Sequence, residues 1–176
     1  MAKIKAVVDS SFWININKTG LVKYLFDYFE LYFTEKVEDE LSDYKDTRNY
    51  VPKDLDTFIQ LKKLDFIQIQ NPKFISKQLQ NTVSNYSGEL YTIALAEELK
   101  AIVLVDDFGP TIYCENNKIG HMTSVTFIAM LFRNNKIIKE EAKEKINLLK
   151  RNINKELIIF SLKKLNGEKK WKQNIN

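Results

Sequence analysis

The 176-residue chain has one cysteine, Cys114, and one histidine, His121. A lone cysteine excludes an internal disulfide, and one residue of each type excludes the thiolate and imidazole sets that hold zinc. Any metal must therefore be held by oxygen. Five glycines and three prolines are too few for a loop-rich or fibrous protein. Long apolar runs are missing as well. Nothing reaches the ~18 residues of a membrane helix, and the short run after Lys3 and Lys5 is not a secretory leader. A cytoplasmic protein with no membrane association is expected.

What is present suits a folded domain. Hydrophobic residues at 44% and charged residues at 28% supply a core and exclude disorder as the main state. A chain of this length buries roughly two-thirds or more of the surface its unfolded form exposes. The formal net charge of +4 hides an uneven distribution: residues 1–132 hold 14 Lys/Arg against 18 Asp/Glu, and residues 133–176 hold 13 against 5. The front is acidic and the back basic. Lys163, Lys164, Lys169, Lys170, Trp171 and Lys172 would suit a phosphate backbone, or make only a solvated surface.

Apolar periodicity divides the chain into alternating strands and helices. Ile4–Val8 reads as a strand ending at Asp9, with Ser10 and Ser11 placed to cap a following helix. Leu21, Tyr24, Leu25, Tyr28 and Phe29 fall on one helical stripe, and 31–34 is a second strand. Helices are expected over 35–44 and 54–64, a strand over 66–70 stopped by Pro72, and a short helix over 73–81. Ser87 caps a helix over 88–100 that leads into the clearest buried strand, 101–105. A helix over 110–116, a strand over 121–123 and a helix over 124–133 follow. The alternation predicts an α/β class, three layers α/β/α around a mostly parallel sheet. Residues 1–138 form the domain, and 139–176 form a basic helical extension docked on it through Ile146, Leu149, Ile153 and Leu157.

In such sheets ligands bind beyond the carboxyl ends of the strands. Asp9 ends the first strand and Asp106 and Asp107 end the strongest one. Glu89 lies in the first turn of the helix before it, and Glu40 on the helix after the second strand. Each has a plain alternative. Glu89 could complement its helix dipole, Glu40 could belong to a wetted acidic face, Asp9 could cap a turn, and only one of the adjacent Asp106 and Asp107 can face a given site. Together they say more, because two like charges about 4 Å apart repel by roughly 4 kcal/mol at an effective dielectric near 20. Several carboxylates in one cleft need protons or a cation, and Mg²⁺ or Mn²⁺ suits carboxylate and water oxygens. Such an ion can activate water toward a phosphodiester and stabilise charge on its oxygens.

The segments Val7-Val8-Asp9-Ser10-Ser11, Val37-Glu38-Asp39-Glu40-Leu41, Gly88-Glu89 before Ile93-Ala94-Leu95-Ala96, and Leu104-Val105-Asp106-Asp107 resemble the PIN-domain family. The likeness is greatest to its prokaryotic branch related to VapC toxins. It covers residues 4–135 in the family's order and roughly its spacing. It implies a metal-dependent endoribonuclease in which Asp9, Glu40, Glu89 and Asp107, or Asp106, hold Mg²⁺ or Mn²⁺. Ser11 would orient Asp9, with Thr123 or Ser124 doing the same for the carboxylates. RNA would be the substrate, with Lys169, Lys170 and Lys172 touching its backbone. A small antitoxin partner and a homodimer are implied too. One departure stands out: related chains often carry an Arg shortly after the fourth acidic motif, where this one reads Phe108-Gly109-Pro110-Thr111.

That missing Arg motivates the rival reading, a catalytically inactive PIN-like module that binds RNA or protein. Val103-Leu104-Val105-Asp106-Asp107 also resembles the first strand of a phosphoryl-accepting receiver domain. Only 69 residues follow Asp107, however, and no later strand ends in an isolated Asp followed by a strand–Lys pair. His121 is expected as a partly buried strand residue, Cys114 as helix packing, and Phe12, Trp13 and the Tyr24–Tyr28 face as core or a dimer patch.

Overall fold

The computed structural model describes residues 3–46, 52–83 and 87–153, with 155, 158 and 159. Five strands, β1 (Ile4–Val8), β2 (Phe29–Phe33), β3 (Ile67–Ile69), β4 (Ile102–Leu104) and β5 (His121–Met122), form one sheet in the order β3-β2-β1-β4-β5. Every pairing is parallel. The order reverses beside β1, which pairs with β2 on one side and β4 on the other. The carboxyl ends of β1 and β4 therefore flank the topological switch point, where open α/β sheets hold their ligands.

Alternating side chains divide the core by face, as the two-residue period of a strand requires. Ala6, Val8, Leu31, Phe33 and Leu104 point into the larger cluster, covered by α1 (Ser10–Thr19), α4 (Lys53–Lys63), α8 (Ser124–Arg133) and α9 (Lys139–Leu148). Val7, Tyr32 and Val103 point into the other, covered by α5 (Lys77–Thr82), α6 (Gly88–Leu99) and α7 (Phe108–Asn116). The result is the expected three-layer α/β/α sandwich. α2 (Leu25–Tyr28) leads into β2, and α3 (Glu35–Asp46) packs against α6 and α1.

Trp13 on α1 is fully buried, edge-on to Phe33 at 5.2 Å and Phe58 at 6.2 Å, and its indole N–H donates to the Asp54 carbonyl at 3.0 Å. With Phe12 it is core, and Cys114 is buried within α7. His121 is a half-buried strand residue whose Nδ1 lies 3.2 Å from the Ile119 carbonyl.

Three expectations need correction. The stripe from Leu21 to Phe29 is not one helix: a 3-10 turn over Val22–Tyr24 and the short α2 end at Tyr28, because Phe29 is recruited to β2 opposite Ile4. The cap of α1 is Asp9, not Ser10 or Ser11. Its backbone is extended and its carboxylate accepts from the Ser11 amide, which places both serines inside the first turn. Finally, helix does not run unbroken from Lys139. α9 stops at Leu148, and a turn closes with the Asn152 amide on the Leu149 carbonyl at 2.9 Å. Ala142, Ile146, Leu149 and Ile153 are buried in the larger cluster. Leu157 and the lysines from 163 to 172 lie outside the described residues.

Candidate metal centre

Asp9 follows β1 directly and is held at the switch point by its amide, which donates to the Leu104 carbonyl at the end of β4 at 2.9 Å. Its side chain is 1% exposed. Oδ2 accepts from the Ser11 amide at 2.9 Å and the Ser11 hydroxyl at 2.6 Å. Oδ1 is buried without a protein partner. An unsatisfied carboxylate oxygen inside a protein is costly, and a cation is one way of satisfying it. Burial pushes the Asp9 carboxyl up to about 6; the Ser11 bonds pull it down, and the charges of Glu40 and Asp107 add to the rise.

Glu40 reaches the same end of the sheet from α3. Its Oε2 accepts from the Ser10 hydroxyl at 2.8 Å and its Oε1 from the Gly88 amide at 2.6 Å. The carboxylate thus binds the first residue of α6, where a free helix N–H and the positive dipole end favour an anion. Glycine at position 88 leaves room for this seat, since a Cβ there would stand 2.5 Å from Oε2 and push the carboxylate aside.

Glu89, next in α6, is half-buried. Burial pushes its carboxyl up to about 7, with further rises from Asp9, from the charge of Asp107 and a hydrogen bond to it, and from Glu40. A carboxyl raised this far holds a proton more readily than an ordinary glutamate, with Asp107 as its neighbour.

The two aspartates after β4 separate. Asp107 is exposed on the side of Asp9 and Glu89. Asp106 is 8% exposed and turns into the protein: Oδ1 accepts from the Ser124 amide at 2.7 Å, while Oδ2 accepts from the Ser124 hydroxyl at 2.7 Å and the Asn15 amide group at 2.7 Å. Burial pushes its carboxyl up to about 6 against these bonds. Asp106 is therefore a support for the turn, not a ligand facing the cluster. Ser124 serves this support. Thr123 instead caps α8, its hydroxyl paired with Thr126. Lys169, Lys170 and Lys172 fall outside the described residues.

Asn15 is a functional neighbour that motif reading passes over, and Gly88 one that it names without explaining. Asn15 does carry a signal: with Phe12, Ile16 and Thr19 it lies on the buried stripe of α1, where a polar residue needs a buried partner. Gly88 stands in a quoted motif, but what it does there comes from Glu40, 48 positions away.

Among the described residues, no three His, Cys, Asp or Glu side chains stand close enough to grasp one ion as arranged. None of the described ion pairs involves Asp9, Glu40, Glu89, Asp106 or Asp107. The donor chemistry fits a hard divalent cation all the same: the set is all carboxylate, no cationic side chain pairs with it among the described residues, and one buried oxygen has no partner.

Fold and site thus define a class, an α/β domain with clustered carboxylates at the switch point of an all-parallel sheet. A family model described as a PIN domain matches residues 5–162, through α9 and beyond. The chain belongs to the PIN-domain family, whose members are generally nucleases dependent on a divalent metal. Among curated proteins, none matches this chain. No helix among the described residues is long and apolar enough to cross a membrane.

Proposed function

We propose that this protein is an endoribonuclease that hydrolyses RNA phosphodiester bonds with Mg²⁺ or Mn²⁺. The carrying observation is the buried, unpartnered Oδ1 of Asp9 beside the carboxylates of Glu40, Glu89 and Asp107. Asp9, Glu89 and Asp107 would hold the ion. Glu40 contributes negative charge while seating the start of α6. A bound ion supplies charge stabilisation at the phosphoryl oxygens and acidifies water.

The chain's own residues prepare this chemistry. Ser11 holds Asp9 Oδ2 with two bonds, which fixes the direction of the free Oδ1. Glu89, with its carboxyl raised to about 7, can release a proton near neutral pH as a cation arrives. The basic carboxyl-terminal region, through Lys169, Lys170 and Lys172, would draw the RNA backbone toward the acidic front.

Cleavage of an end-labelled RNA in the presence of Mg²⁺ or Mn²⁺, abolished by chelation and by Asp9→Asn, tests the proposal. Metal-independent RNA binding without cleavage would favour the non-catalytic module, the reading raised by Phe108-Gly109-Pro110-Thr111 in place of an Arg. A narrower proposal follows from the VapC-like motifs: a toxin that dimerises and is neutralised by a small antitoxin. Growth arrest on expression, dependent on Asp9, tests it.

A further inference from the structure

A continuous chain of hydrogen bonds leads from the carboxyl-terminal segment to the acid cluster. Asn152 Nδ2 donates to Asn15 Oδ1 at 3.0 Å, Asn15 Nδ2 donates to Asp106 Oδ2 at 2.7 Å, and the Asp106 amide donates to Ser11 Oγ at 3.3 Å. Ser11 Oγ in turn donates to Asp9 Oδ2 at 2.6 Å. Three segments far apart in sequence, the start of α1, the turn after β4 and the chain beyond α9, meet along this path.

The chemistry fixes the direction of each link. A carboxylate accepts only, so Asn15 must present its NH₂ to Asp106, and its carbonyl oxygen is left facing outward. That oxygen belongs to a residue 3% exposed and is met by the amide of Asn152. If Asp106 served only to cap α8, the two bonds from Ser124 would be enough. The third donor, from α1, locks the carboxylate from a second direction and joins it to the chain's basic end.

We propose that Asn15 and Asn152 form a strut through which the carboxyl-terminal segment positions the Asp106–Asp107 turn, and with it the Asp107 carboxylate at the ion site. The proposal rests on the metal-dependent reading above. Both are positioning residues: neither touches the cluster. With the Asp106 carboxylate and amide both tied, the backbone that leads into Asp107 has little freedom, and Asp107 is left pointing at Glu89. Asn152 itself is exposed, while its neighbours Leu149 and Ile153 are buried and dock the segment independently. Changing Asn152 therefore cuts the strut without undocking the segment.

The test uses the full chain and Mn²⁺ alone as probe. By titration calorimetry, Asn152→Ala should weaken Mn²⁺ binding roughly three- to tenfold, as for one hydrogen bond in a network. Asn152→Asp should weaken it further, because an acceptor facing Asn15 Oδ1 drives that amide to flip. Asn152→Gln, which keeps a donor, should restore part of the loss. A merely structural contact would alter melting temperature and leave affinity alone. A second readout needs no metal: the backbone amide resonance of Asp107 should move in Asn152→Asp. Wild-type binding of Mn²⁺ with unchanged affinity in both Ala and Asp variants overturns the strut and keeps the ion site. Absence of Mn²⁺ binding in the wild type with a shifted Asp107 resonance overturns the ion site and keeps the strut. An unmoved resonance and no binding overturns both.

Discussion

The carboxylate of Glu40 fills the space a side chain at Gly88 would need: the Gly88 amide donates to Oε1 at 2.6 Å, and a Cβ at position 88 would stand 2.5 Å from Oε2. The first turn of α6, which carries Glu89, is thus registered against α3 by a contact for which glycine leaves room.

Gly88→Ala should therefore push the Glu40 carboxylate aside and cost about 1 kcal/mol, the net worth of the hydrogen bond it breaks. Thermal melts should show the loss. In a Glu40→Ala background the same change should cost much less, because the opposing oxygen is gone. Equal costs in the two backgrounds would contradict the contact.

Asp9→Asn should leave the fold intact and abolish cleavage along with any rise in melting temperature on adding Mg²⁺ or Mn²⁺. Ser11 can still donate to the remaining carbonyl oxygen, but the charge that recruits the cation is lost. Circular dichroism and the labelled-RNA assay together check this, and full activity in the variant would refute the nuclease proposal.

Asp106 and Asp107 should respond oppositely to loss of charge. Asp107→Asn should lower activity with little effect on stability, since the residue is exposed. Asp106→Ala should destabilise by about 1–3 kcal/mol, because Ser124 and Asn15 lose their shared buried acceptor. Denaturant melts on both variants separate the roles.

The metal-free protein should be more stable at pH 5 than at pH 8. Asp9 and Asp106, raised to about 6, and Glu89, raised to about 7, bind protons more tightly folded than unfolded. Their contribution is fully present below the ordinary carboxyl range of about 4 and is lost as pH rises through 6 to 7. Excess Mg²⁺ should restore stability at pH 8 and do little at pH 5, where protons already occupy the cluster. Melting temperatures that rise with pH in chelator would contradict this sign.

Changing Lys169, Lys170 and Lys172 to alanine should weaken RNA binding most at low salt and flatten its dependence on ionic strength, by loss of phosphate contacts. Binding curves at several salt concentrations would show it, and an unchanged slope would remove these lysines from the interface.

Much of this architecture was legible in the sequence because it is written in periodicity. The runs Ile4–Val8 and Ala101–Val105 announce buried strands, and the acids follow them in chain order. What periodicity cannot carry is direction. Nothing local says which of Asp106 and Asp107 turns inward; that depends on Ser124 and Asn15, which arrive from two other helices. Phe29 fits a helical stripe equally well and becomes strand only because Ile4 is there to pair with it. The stop of α9 likewise depends on docking, since Leu149 and Ile153 are buried on either side of the turn.

The strand order has a consequence for synthesis. β1 is made first, yet Ala6 waits for Ile102 before its second flank is covered. A nascent chain halted anywhere before β4 holds Asp9 and Glu40 with nothing to bring them to Asp107. The long-range closure that makes such topologies slow to fold also means that no copy halted before β4 can carry a complete acidic cleft.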